Sequence, residues 1–205
     1  MNANSQAPSH AHGASPNPAR TMHRIALLLS AIALAASASA QPDYDITTLG
    51  LMGPGYVDSG GYSASYAQLL NNAGQVAGQS IRYGSGDAYL GSDAWLSNGT
   101  STQQIGLVGT GYERPSDGYR TSYAQLLNDA GRVAGYSQRY STGGANLGSD
   151  VWFSNGASTQ LIGLIGTGYE RPSDGYRYSY SNLLNDAGQV AGNSERYGAG
   201  DVSLG

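Results

Sequence analysis

The amino-acid sequence predicts an all-β protein of tandem four-stranded repeats, β-propeller-like but partial, with a β-solenoid as the alternative architecture. Three observations predict it. The stretch LLNDAGRVAG, Leu126 to Gly135, returns as LLNNAGQVAG at Leu69 to Gly78 and as LLNDAGQVAG at Leu183 to Gly192, with starts 57 residues apart both times. Leu90–Asn146 and Leu147–Ser203 are identical at 41 of 57 positions, so the copied object is a whole supersecondary unit rather than a short motif. Apolar residues come in runs of a few, broken by Gly, Asn or Ser, which suits strands and tight turns better than helices.

Taken in order, the chain opens with residues 1–21, polar and rich in Ala, Ser, Pro and Asn without an apolar period, and these are expected to form a disordered extension. Met22-His23-Arg24, an apolar run from Ile25 to about Ala36, and Ala38-Ser39-Ala40 are the parts of a secretory signal peptide over residues 22–40, cleaved after Ala40. The run falls short of the ~20 apolar residues that a membrane-spanning helix needs. Met22 serves as a start codon as well as Met1 does. Residues 41–205 are then the mature β-repeat domain, expected to be secreted, periplasmic or extracellular, with no membrane span after cleavage.

Composition narrows the chemistry of that domain. Cysteine is absent, which removes disulfides, thiolate metal ligands and a thiol nucleophile. All three histidines (His10, His12, His23) precede Ala40, so the remainder lacks the usual general base and the commonest metal ligand. After Ala40 there are 8 Arg and no Lys against 14 Asp plus Glu, a net charge of 8 − 14 = −6, which argues against a nucleic-acid partner.

Each unit divides into four strand-like pieces. The first carries Trp, as Asp93 to Leu96 and Asp150 to Phe153, and is followed by the hairpin signal Asn98-Gly99 or Asn155-Gly156. The second alternates, Ile105-Gly106-Leu107 and Ile162-Gly163-Leu164, with Leu49-Gly50-Leu51 in the earliest copy; its Gly is expected to let another backbone come close. The third and fourth are the two arms of the Leu126–Gly135 motif. Asn128 and Gly131 suit a type I turn whose Gly takes the positive φ of a G1 bulge, and the pair of Gly (Gly131, Gly135) with a β-branched Val between them opposes the helical reading. The fourth piece ends in Arg-Tyr (Arg82-Tyr83, Arg139-Tyr140, Arg196-Tyr197). Residues 45–89 match the same unit with a one-residue slip near Ser59 to Gly61.

Two long loops separate the hairpins, GTGYERPSDGYR at Gly109–Arg120, repeated letter for letter at Gly166–Arg177, and the Gly/Ser-rich run Ser141–Gly148. A unit such as Leu90–Asn146 holds only nine large aliphatic or Trp side chains, too few to offset the entropy of ordering 57 residues, so units are expected to lean on one another. The 165 residues after Ala40 amount to about 2.9 units, fewer than the ~4 blades of a closed propeller. The third copy runs to Asp201-Val202-Ser203-Leu204-Gly205, where the earlier copies go on into their Trp strand, so the expectation is an incomplete last unit with an open edge able to pair with another chain.

The repeated Asn-[Asn/Asp]-Ala-Gly-[Gln/Arg]-Val-Ala-Gly motif, the Asp-x-Trp strand, Ser-Asn-Gly and Ile-Gly-Leu together resemble the HAF-repeat extracellular proteins of bacteria, over Asp45 to Gly205. The resemblance implies secreted or surface-associated proteins of repeated β units with no established catalytic residues, so none is carried over. Two departures stand out. The family's His before the aromatic strand is Ser92 or Ser149 here, followed by Asp, and its LGTLGG is replaced by the longer GLVGTGYERPSDGYR.

The candidate ligand-binding residues are Tyr112, Arg114, Asp117 and Tyr119 of the first loop copy and Tyr169, Arg171, Asp174 and Tyr176 of the second. Tyr faces, a carboxylate and a guanidinium suit a sugar, and repetition would add avidity; the competing reading is a solvated turn that fixes chain direction. Glu113 and Asp117, with Glu170 in the copy, could be paired carboxylates for glycoside cleavage, but their spacing in a Pro-containing loop sets no separation and a duplicated pair is unlike a single asymmetric active site. Calcium at Asp87, Asp93 or Asp150 lacks a dense Asp-x-Asp-x-Asp loop. Trp95 and Trp152 read as core. The expectation is therefore a non-enzymatic secreted or surface-associated β-repeat protein with a structural or adhesive role and no cofactor. The alternatives are a multivalent carbohydrate-binding module that meets glycans or cell-surface components through the YERPSDGY loops and, behind it, a polysaccharide-acting enzyme.

Overall fold

The Leu126–Gly135 motif folds as the turn chemistry requires. The Asn128 N–H donates to the Arg132 carbonyl and the Gly131 N–H to the Asn128 carbonyl, while Gly131 takes a φ of +73° that a side chain would oppose. The Asn128 carboxamide oxygen accepts from the Ala130 and Arg132 N–H groups, closing the turn from inside. The same turn recurs at Asn71–Gly74 and Asn185–Gly188.

A computed structural model describes residues 46–205; the expected extension and signal peptide lie outside the described residues. Thr47–Gly205 form one all-β unit. Its strands are β1 (Ser65–Leu70), β2 (Val76–Tyr83), β3 (Tyr89–Ser97), β4 (Thr102–Ile105), β5 (Arg120–Leu127), β6 (Val133–Tyr140), β7 (Asn146–Ser154), β8 (Thr159–Leu161), β9 (Arg177–Leu184) and β10 (Val190–Ser194). They make a single open, mixed sheet in the order β1-β2-β3-β5-β6-β7-β9-β10, with β4 paired to β3 and β8 to β7. Counted from the hairpin, the structural units are β1–β4 and β5–β8, with β9–β10 beginning a third, and pairing inside each is antiparallel. Between units it is parallel and short, Gly91 opposite Arg120 and Ser92 opposite Thr121, then Gly148 opposite Arg177 and Ser149 opposite Tyr178. Among the described residues no helix is long and apolar enough to cross a membrane.

Tryptophan and glycine set the register of each unit. Gly78 lies opposite Trp95 and Gly135 opposite Trp152, and both indoles are fully buried. A Cβ built on Gly135 would stand 2.0 Å from the Tyr123 carbonyl oxygen and 2.6 Å from the Trp152 ring, so only glycine lets the indole lie flat on the hairpin. Opposite this contact the first hairpin strand takes a bulge, between Ala67 and Leu69 in β1 and between Ala124 and Leu126 in β5. One apolar cluster crosses the boundary between units, joining Ala77, Ala94, Leu96 and Ile105 to Ala124, Val133 and Trp152.

The Ile-Gly-Leu segment departs from the expected strand. β4 ends at Ile105, because Gly106 turns the chain with a φ of +101°. What comes close to this glycine is a side chain rather than the expected second backbone: a Cβ there would fall 2.8 Å from the Ser122 hydroxyl. Leu107 N–H then donates to the Ser137 hydroxyl (3.1 Å), itself hydrogen-bonded to Ser122. Leu51 on Ser80 and Leu164 on Ser194 repeat the arrangement. The alternation reflects a backbone held against a buried serine pair rather than a pleated face.

The Trp-on-Gly contact is expected to show in urea unfolding. Trp152→Ala lowers stability by about 3–5 kcal/mol, and Gly135→Ala, which adds one methyl where there is no room, by about 1–3 kcal/mol; a Gly135→Ala protein with an unchanged midpoint contradicts the packing described.

Candidate functional site

Each complete unit buries one carboxylate. Asp93 and Asp150 sit two residues before the tryptophans on β3 and β7, and neither has any exposed surface. A charge in that position requires partners, and they arrive from three directions. Arg120, at the start of the following unit's β5, grips Asp93 with both Nε and Nη2 at 2.6 Å; Arg177 grips Asp150 the same way at 2.5 Å. Tyr56 and Tyr112, from the preceding loops, donate their hydroxyls to the Oδ2 atoms at 2.6 and 2.7 Å. Arg82 and Arg139, on β2 and β6, bring Nε to 3.4 and 3.3 Å. Behind Arg120 stands Glu113, and behind Arg177 stands Glu170, each accepting from Nη1. Two guanidiniums thus face two carboxylates at each site.

The electrostatics follow from that count. Burial works to lower the affinity of Arg120 for its proton, and the hydrogen bonds and charge of Asp93, then of Glu113, overcome it, so the group is held above its ordinary value; Arg177 behaves likewise with Asp150 and Glu170. Arg139 is instead lowered, by burial and then by the Arg177 charge. Tyr56 and Tyr112 are raised by burial first and then by the carboxylate that accepts their hydroxyl. These phenols stay protonated donors. Arg82 and Arg139 also donate to backbone carbonyls across the unit boundary, Arg82 to Gly118 at 2.8 Å and Arg139 to Gly175 at 2.9 Å.

The eight candidate loop residues separate into two environments. Tyr112 turns inward to Asp150, whereas Arg114, Asp117 and Tyr119 meet one another outside. Arg114 binds Asp117 through Nε (2.9 Å) and Nη2 (2.6 Å) and lies over the Tyr119 ring at 4.8 Å. Arg171 pairs with Asp174 and covers Tyr176 at 4.9 Å. The arginine hydrogen bonds hold Asp117 and Asp174 down to about 2, helped by the Tyr119 and Tyr176 N–H groups. Tyr119 packs edge-on between Tyr89 (5.9 Å) and Tyr140 (6.2 Å), and Tyr176 against Tyr197 (6.4 Å). Tyr169 is half-buried at the position equivalent to Tyr112. Glu113 and Asp117, weighed as a catalytic pair, are each committed to a different arginine.

Beside this loop lies a recess of about 280 Å³, lined by Gly109, Thr110, Glu113, Pro115, Tyr140 and Thr142 among others. Among the described residues no three His, Cys, Asp or Glu side chains gather as a metal cluster. Of the acidic residues weighed for calcium, Asp93 and Asp150 hold arginine, and Asp87 accepts from the Ser59 N–H and hydroxyl. Sequence reading passed over the Asp–Arg–Tyr centres themselves. Their signal was an Asp inside a strand otherwise made of buried residues, with an Arg 27 positions later in both copies.

Comparison with protein-family models, with curated proteins and with solved structures yields no match.

Asp150→Asn leaves two buried guanidiniums short of a charge and is expected to cost about 3 kcal/mol or more in chemical denaturation. Asp117→Asn, in the exposed pair, is expected to shift the midpoint far less. Equal effects contradict the assignment of Asp150 as the buried centre.

Proposed function

We propose that this protein is a secreted or surface-associated, non-enzymatic β-repeat protein with a structural or adhesive role. The observation that carries the reading is where the reactive-looking groups of the long loops go. Glu113, Arg120, Glu170 and Arg177 are spent on joining one unit to the next, with the same partners in both copies. An active site needs groups poised toward a substrate and asymmetric about one reacting centre; a duplicated joint serves cohesion. Export rests on the signal-peptide pattern of residues 22–40, and kinship with the HAF-repeat proteins rests on the motifs already given.

The finer architecture belongs to the same proposal. The parallel bonds from β3 to β5 and from β7 to β9 join neighbouring units within one sheet. Hydrogen bonds also link turn residues 57 positions apart, Asn71 to Asn128 and Asn128 to Asn185. Both support a solenoid over a propeller, whose blades are separate sheets.

One observation favours a second reading, the carbohydrate-binding module. The recess beside Tyr140 has exposed Thr110 and Pro115 on its rim, and Tyr119 stands next to it. A glycan array probed with the mature chain separates the two. The structural reading predicts no saturable glycan signal; a signal abolished by Thr110→Trp, which fills the recess while leaving the buried ion pairs alone, establishes the second reading instead.

A further inference from the structure

The chain has few ways to lock itself covalently. Disulfides need cysteine and isopeptide bonds need lysine, and the chain has neither, whereas it carries 16 tyrosines, all after Ala40. Phenols couple to one another on one-electron oxidation, provided that two rings are held side by side.

The middle hairpin holds two rings in that way. Tyr123 on β5 lies directly opposite Tyr136 on β6. Their ring centroids are 5.2 Å apart and their planes differ by 36°, a near-stacked pair that lays two ring edges alongside each other. Both side chains are half-buried, so packing fixes the rings while a small oxidant can reach them. The other aromatic pairs differ. Tyr119 meets Tyr89 at 69° and Tyr140 at 88°, and Tyr176 meets Tyr197 at 88°. These edge-on arrangements set the reactive edge of one ring against the π face of the other. Tyr178 and Tyr180, 5.7 Å apart at 49°, are neighbours on one strand, where a link would bridge nothing. The sister hairpins place a single phenol at this register: Tyr66 faces Gln79, and Tyr180 faces Asn193.

We propose that Tyr123 and Tyr136 form a modification site, a dityrosine cross-link across the β5–β6 hairpin, made when a one-electron oxidant of the peroxidase and hydrogen peroxide class reaches the folded chain. Each phenol loses one electron and its hydroxyl proton. The two radicals couple between carbons ortho to their oxygens, forming one carbon–carbon bond. The hydrogens on those carbons move to the oxygens as both rings regain aromaticity. The two electrons and two protons removed convert one hydrogen peroxide into two waters. The Asn128 turn of this hairpin is bonded to both neighbours, Asn71 on one side and Asn185 on the other. A covalent link behind that turn narrows the open ensemble and holds the middle rung of the array. The inference goes beyond the proposed function, because it requires neither export nor a sugar, and it stands or fails separately from that reading.

The test treats the full chain, dilute enough to stay monomeric, with a haem peroxidase and hydrogen peroxide, and maps the monomer fraction after trypsin. Cleavage after arginine places Tyr123 in Thr121–Arg132 and Tyr136 in Val133–Arg139, one tyrosine in each. The expected product joins these two fragments, is lighter than their sum by two hydrogens, and carries dityrosine fluorescence. Tyr136→Phe keeps the ring and is expected to abolish the joined fragment. Gln79→Tyr, which reproduces the pairing in the first hairpin, is expected to add a second link between positions 66 and 79. Oxidation in urea, where the hairpin is open, is expected to lower the yield about fivefold or more. No joined fragment in the monomer, a yield unchanged by urea, or a map dominated by Tyr119–Tyr140 or Tyr178–Tyr180 overturns the proposal.

Discussion

A carboxylate with no exposure to water can remain ionised only if cations reach it, and in this protein the bidentate cation comes from the next repeat. Asp93 waits for Arg120 and Asp150 for Arg177. The constraint is one of specificity more than of net energy, since desolvating both charges consumes much of what their attraction returns. Any other spacing between units would leave the carboxylate buried without its bidentate partner, with only a tyrosine hydroxyl and the more distant Arg82 or Arg139 beside it. That penalty fixes the register at which β5 meets β3 and β9 meets β7, where few backbone bonds are available to do so.

Apolar packing and turn chemistry point the same way. The buried cluster takes its members from two consecutive units, so neither holds a closed core by itself. At the hairpin tips the Asn71 amide donates to the Asn128 carbonyl and the Asn128 amide to the Asn185 carbonyl, both at 2.8 Å. Asn72 meets Asp129 as well, through its N–H at 3.0 Å and its amide at 2.8 Å. Ion pair, core and tip therefore impose one common translation between copies, and agreement across levels is what lets a short glycine-rich unit specify a single arrangement.

Much of this was legible in the residues. The repeat length, the strand class and the Asn128–Gly131 turn follow from local pattern, and local pattern is what a sequence displays. Trp95 and Trp152 were readable as core because an indole beside alternating apolar residues has few other uses. Ile105-Gly106-Leu107 misled, because alternation of apolar residues around a glycine describes a strand and a sharply turned segment equally well until φ is known. The loops were noticed for their chemistry, yet their partners were not, since Arg120 and Asp93 are 27 positions apart and on different units. No local period announces such a pair. Tyr112 shows the same limit. Adjacent in sequence to Glu113 and Arg114, it turns inward to a carboxylate 38 residues away.

The central claim is mutual support between units, and isolating one unit tests it most directly. A peptide spanning Arg120–Leu161 keeps the four strands β5–β8, Asp150, Trp152 and the whole Asn128 turn, but loses Arg177 and the neighbours that complete its core. Monitored by circular dichroism during heating, and held monomeric by analytical ultracentrifugation, it is predicted to show no cooperative transition, while the full chain melts sharply. A sharp, reversible melt of that monomeric four-strand unit would contradict the account.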